Sequence, residues 1–127
     1  MRPLLSILLL ALLVTGCDFF GSETLRVRYT VNATGANGPV TLTYDTSDGP
    51  VRVEGARVPF TEDIQINNPR IGSVYLLNAE TTCTGPCTLT AEVAGAVGST
   101  PITAEDEVVY PADTTRTLGA SASILFR

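Results

Sequence analysis

The chain has 127 residues, 13 of them Asp or Glu and 8 Arg, with no Lys, His or Trp, and its formal net charge is −5 at pH 7. An acidic surface without Lys argues against nucleic-acid binding, which needs basic groups to neutralise phosphates. The missing His removes Ser-His-Asp and Cys-His catalysis, His-based zinc and copper sites, and haem ligation through His.

The chain opens with a basic start at Arg2, an apolar run from Leu4 to Val14, and then Thr15-Gly16-Cys17. Eleven residues are too few for a spanning helix, which needs about 20. They fit the apolar region of a cleaved secretory signal. Val14-Thr15-Gly16-Cys17 resembles the lipobox of bacterial lipoproteins, an aliphatic residue and two small ones before a cysteine. The resemblance implies that the Cys17 thiol receives a diacylglycerol and that cleavage leaves Cys17 first in the mature chain. The expected organisation is a signal peptide over 1–16, a lipidated tether over 17–23 and one folded domain over 24–127. Removing Arg2 leaves seven Arg against thirteen acids, a net charge of −6. That acidity argues against electrostatic membrane attachment, so the bilayer is engaged through acylated Cys17. Two acyl chains suffice for stable anchoring, at about 0.8 kcal/mol per buried methylene. Phe19 and Phe20, in the tether, suit the bilayer interface, the alternative being that they cover one end of the domain.

The folded region alternates apolar and polar residues, the period of a half-buried strand. Leu25, Val27, Tyr29, Val31 and Ala33 share one face. Residues 34–39 hold Asn37-Gly38-Pro39 and read as a turn. Val40, Leu42 and Tyr44 define a second strand, closed by Asp48-Gly49, and 51–54 a third. Pro59 lacks a ladder donor, so 57–60 reads as a bend carrying the chain between sheets, with Phe60 buried. Ile64 and Ile66 mark the next strand, and 67–72 is a loop. Residues 73–81 are apolar on both faces near their middle, as in a central strand. Leu89, Ala91 and Val93 point inward from 87–94. The Gly-rich stretch 95–103 is weakly patterned and reads as a loop or frayed edge. A short strand at 105–110 precedes a break at Pro111, and Ala120, Ala122, Ile124 and Phe126 share a face in the last strand.

No segment has a helical period. About seven to eight antiparallel strands with regular turn signals predict an all-β fold, an immunoglobulin-like β-sandwich, with a small closed barrel as the alternative. Val27-Arg28-Tyr29-Thr30-Val31, Val40-Thr41-Leu42-Thr43-Tyr44, Val58-Pro59-Phe60, Leu77-Asn78-Ala79 and Thr88-Leu89-Thr90-Ala91-Glu92-Val93 together resemble the soluble β-sandwich domain of MmpS-type transport accessory proteins. That resemblance implies a membrane-anchored, periplasm-facing partner of a lipid exporter. The chain departs from the family in carrying Phe60 where Trp is usual, and a lipobox in place of a spanning helix.

Cys83 and Cys87 are the remaining cysteines. Export places them in an oxidising compartment, where a pair forms a bridge. A five-residue loop gives about 2 kcal/mol of stabilisation. Pro86 is incompatible with the left-handed residue of a simple three-residue hairpin, so a wider loop with the cysteines at its base is expected. A thiol-redox pair is the competing role, though redox catalysis favours a helix N-terminus. Asp45 and Asp48 are candidate calcium ligands, but an EF-hand loop beginning at Asp45 needs Glu at position 56, which is Ala. Glu105-Asp106-Glu107 is a second calcium candidate, and its competing reading is a solvated edge that blocks strand addition. Ser and Thr are abundant, yet no His or Lys activates them. The expected function is therefore a non-enzymatic envelope lipoprotein, without cofactor, that binds a protein partner and assists a transporter. The alternative is an exported small-ligand or calcium-binding lipoprotein.

Overall fold

The computed structural model of the chain describes residues 24–97 and 100–127. The signal peptide, Cys17 and the tether lie outside the described residues. The described residues form six antiparallel strands: β1 (Thr24–Thr46), β2 (Gly49–Ala56), β3 (Phe60–Asn67), β4 (Val74–Val97), β5 (Thr100–Tyr110) and β6 (Arg116–Leu125). None of the described residues is helical.

Two strands organise the rest. β1 has 23 residues and β4 has 24, and they pair along nearly their whole length, from Leu25↔Val97 to Tyr44↔Leu77. Straight strands of that length would extend about 75 Å. A domain of about 100 residues has a radius of gyration of only about 13 Å. The long ribbon therefore folds across its middle. Beyond the fold each half recruits its own neighbours. The first half of β1 pairs with β3 and its second half with β2. The second half of β4 pairs with β5 and its first half with β6. One half-sheet thus runs β3-β1-β4-β5 and the other β2-β1-β4-β6.

The fold of the ribbon is a double bulge. Gly35 faces Cys87 and Asn37 faces Cys83, so β4 spends four residues where β1 spends two. On the other side Asn37 to Val40 opposes only Cys83 to Thr81, an excess on β1. Bulges bend a strand and increase its twist, which turns the ribbon back on itself. Gly35 has a φ of 93°, and a Cβ there would lie 2.3 Å from the Pro86 carbonyl oxygen. Only glycine fits that approach. Thr81, buried beside it, donates its hydroxyl to the carbonyls of Gly38 and Pro39 at 3.1 and 3.2 Å. The hydroxyl thereby serves backbone acceptors that the bulge takes out of the ladder.

The two half-sheets face each other around one core. Leu25, Tyr29, Leu42, Leu77 and Leu89 are fully buried in it. Each such side chain contributes about 1.5–3 kcal/mol of transfer free energy. Contacts cross between the halves. The Tyr29 hydroxyl donates to the Asp45 carbonyl at 2.8 Å, and the Tyr29 and Tyr44 ring centroids are 5.2 Å apart. At the opposite edge β5 closes toward β6, where the Ser121 amide donates to Asp106 Oδ2 at 3.0 Å.

Several expectations need correction. The strands run as six continuous elements, because 34–39 and 82–86 are bulged corners inside β1 and β4 and not turns between strands. Residues 95–97 and 100–103 are paired strand, with Gly95 opposite Ile102, and not a frayed loop. The acidic run is not uniformly solvated: Glu105 and Glu107 are exposed, while Asp106 is partly buried against β6. Phe60 is only partly buried, against the core and 6.1 Å from the Tyr44 ring. The bend at 57–59 does carry the chain from the β2 half to the β3 half, and Val58-Pro59 is cis there. Just past β6 the Phe126 amide donates to the Ser73 carbonyl at 2.9 Å.

Candidate functional site

The exterior of the β3-β1-β4-β5 half carries a groove of about 580 Å³. Its shape follows from register. Arg26 lies opposite Ala96, which lies opposite Pro101; Arg28 lies opposite Ala94, which lies opposite Thr103. On one face of a sheet, directly opposed residues are neighbours about 4.5–5.5 Å apart. Each row therefore steps from a long Arg on β1 down to Ala on β4 and up again at β5. The Ala residues form the floor and the Arg side chains one wall.

The two arginines differ electrostatically. Arg28 donates to Asp63 through Nε at 2.7 Å and through Nη2 at 3.4 Å. The hydrogen bond from Arg28 holds the Asp63 carboxyl below its ordinary range, and Asp63 in turn raises Arg28. Both groups are exposed, so the pair orients side chains more than it stabilises the fold. The described ion pairs are Arg28–Asp63 and Arg52–Glu54. Arg26 has no acidic partner among the described residues. It stands at the groove with no side-chain hydrogen-bond or ion-pair partner among the described residues, and a guanidinium is suited to a carboxylate or phosphate in a bidentate arrangement. Toward the corner the same face turns acidic, with Glu92 opposite Glu105 and Thr90 opposite Glu107. Like charges set directly opposite are unfavourable, and a cationic group of a partner would relieve them.

Asp45 and Asp48 are not brought together as ligands. Asp45 Oδ2 accepts the Leu76 amide at 3.0 Å, which fixes it to β4. Asp48 is exposed in the turn after β1, where its amide donates to Thr46 Oγ1 at 3.2 Å. Among the described residues no group of three or more Asp, Glu or Cys side chains is placed to hold a metal ion.

Cys83 and Cys87 form a disulfide with a Cα–Cα distance of 6.1 Å, inside the usual window. They stand in one strand and bracket the β4 bulge, in place of the expected loop base. Both are buried, and Arg116, opposite Cys83, lies over the Tyr110 ring at 5.9 Å. Burial removes the solvent access that a cycling redox pair needs, so the bridge works as a staple on the corner.

The sequence shows the groove only in part. Arg26 and Arg28 alternate with core residues and read as a solvated face. Their pairing with Ala94 and Ala96 depends on the register of a strand some seventy residues away. Tyr29 is the other residue the strand pattern underrates. It is a core residue by alternation, but its hydroxyl also holds the two halves together. Burial, and then the nearby Asp45, push its pKa well above the ordinary tyrosine value.

No protein-family model matches this chain, and no curated protein matches it in sequence. Among solved structures it is similar to a domain of unknown function (DUF4425) from Bacteroides vulgatus. The identity is 12%, the match covers 85% of this chain and 99% of that one, and the TM-score is 0.48.

Proposed function

We propose that this chain is a non-enzymatic envelope lipoprotein, held to a membrane by acylated Cys17, whose folded sheet acts as an immunoglobulin-like β-sandwich for binding. The observation that carries the binding role is the groove beside Arg26, a guanidinium without an acidic partner among the described residues, over a floor of Ala94 and Ala96. A charge of that kind at a concave apolar floor suits an anionic group of a partner, and the neighbouring acidic rows suit cationic ones. The buried disulfide supports an exported, oxidising location. In its more specific form the partner is a membrane transporter, and the domain projects from the periplasmic or outer side of the same membrane.

The test is site-specific photocrosslinking in native membranes, with the crosslinker placed at Gln65, beside Arg26 on β3. The expected result is one discrete adduct that is lost on Arg26→Glu and unaffected by Arg52→Glu on the other half-sheet. Equal loss with both variants, or no adduct at Gln65, overturns the proposal. The same groove suits a small carboxylate, which is the second reading. It predicts an Arg26-dependent thermal shift with a small organic acid and no adduct.

A further inference from the structure

The described residues contain an apolar patch that the core does not use. Ile71 is 84% exposed, Val74 53% and Leu125 40%. Val74 and Leu125 are direct cross-strand partners on β4 and β6. Ile71 joins them because the Gly72 amide donates to the Phe126 carbonyl at 2.7 Å, which holds the 68–73 loop against the end of β6. Leu76, next on the same face of β4, is partly exposed as well. Single exposed apolar residues are ordinary, whereas a contiguous group of them marks a surface that meets something.

The position of the patch indicates what it meets. Leu25, the second residue of β1, and Ile124, the neighbour of Leu125, both reach the space beside Gly95. Asn67, which pairs with Thr24, shares the wall of one cleft with Val74. The start of β1 and the apolar patch therefore lie at the same end of the fold, opposite the disulfide corner. Cys17 is seven residues before Thr24, and seven residues span at most about 25 Å. A lipid on Cys17 brings this end, and not the corner, toward the bilayer. Arg70 and Arg127 flank the patch in sequence and are exposed. Apolar tips flanked by arginines suit the interface of a membrane with anionic lipid. Asp48, in the neighbouring turn, is an exposed acid among the described residues at this end.

We infer that the Ile71–Val74–Leu125 end of the domain rests on the lipid surface, with Ile71 inserted at the headgroup boundary. This orients the sheet upright and presents its far, disulfide-bearing corner away from the membrane. It rests on the lipoprotein assignment above. It adds a contact of the folded domain to the expected anchor at acylated Cys17.

The test uses full-length protein purified from membranes and reconstituted into phosphatidylethanolamine–phosphatidylglycerol vesicles. A polarity-sensitive fluorophore is attached to Ile71→Cys in one preparation and to Val109→Cys in another. Val109 is 61% exposed and lies beside the corner, one residue from Tyr110, which pairs with Cys87. The expected result is a blue shift and several-fold stronger quenching by brominated lipid at position 71 than at 109. Membrane-bound protein with equal, weak quenching at both positions overturns the inference while leaving the lipid anchor intact. A blue shift at 71 without lipid quenching also overturns it, because the patch is then covered by a second copy or by the chain's own tether. Protein that does not remain with the vesicles overturns both the inference and the anchor.

Discussion

Replacing Gly35 by Ala tests the corner on which the fold turns. The change adds one methyl group, and two separable costs follow. A positive φ costs a residue with a Cβ about 1–2 kcal/mol. The added atom also meets the Pro86 carbonyl oxygen at 2.3 Å and the Cys87 Cα at 2.9 Å, and both are backbone, pinned by the disulfide. Relieving such overpacking costs about 1–3 kcal/mol. The total is about 2–5 kcal/mol, or roughly a 10–25 °C drop in melting temperature for a domain of this size. Gly55→Ala is the internal control. Gly55 also has positive φ, at 64°, but nothing lies within 4 Å of its Cβ position. It should lose only the conformational part, about 1–2 kcal/mol. The assay is urea denaturation of the soluble domain, comparing midpoints at constant m-value. If Gly35→Ala is no more destabilising than Gly55→Ala, the close approach of β1 to β4 is not what bends the ribbon.

Other outcomes follow from the same geometry. Replacing Cys83 and Cys87 together by Ala should cost at least about 2 kcal/mol, from the five-residue loop they close, and thiol titration of the denatured wild type should find neither thiol free. Tyr29→Phe should cost about 1–2 kcal/mol by leaving the Asp45 carbonyl without its donor, read by the denaturation midpoint. Because the folded-state pKa of Tyr29 is raised, its contribution is complete below the unfolded pKa near 10 and is lost as pH rises beyond it. Wild-type stability should therefore fall above about pH 10, and Tyr29→Phe should remove part of that slope. Asp63 has the opposite sign: its lowered pKa gives a contribution present above the unfolded value near 4 and lost as pH falls through the folded one. With both partners exposed, Asp63→Asn should leave the denaturation midpoint at neutral pH unchanged within error, and a clear loss would refute the account of that pair.

The strands themselves were legible because alternation is a local property. Leu25 to Ala33, Val40 to Tyr44 and Ala120 to Phe126 each show their buried face without knowledge of a partner. The corners were not legible as corners. Gly35, Pro39 and Pro86 are turn residues in any local reading, and a bulge uses the same residues as a turn does. Only the pairing of Asn37 with Cys83 shows that the chain continues in the same strand. The pairing of 95–97 with 100–102 is hidden for a related reason. Gly95 and Ala96 carry little hydrophobic contrast, so the pattern fades although the pairing persists through Val97↔Thr100. The groove depended on lateral register as well. Arg26 and Ala96 are each unremarkable in sequence and form a step only when side by side. The exposed apolar patch depends on the loop at 68–73 being placed against Phe126, a contact across more than fifty residues.

The central claim is that the folded domain is held to a membrane through Cys17. Intact-mass and N-terminal analysis of the protein purified from the membranes of a lipoprotein-processing bacterium tests it most directly. The expected species begins at Cys17, carries the mass of a diacylglyceryl group, and becomes an unlipidated precursor on Cys17→Ser. A chain that leaves the membrane on washing, with an unmodified Cys17 thiol, would contradict the account.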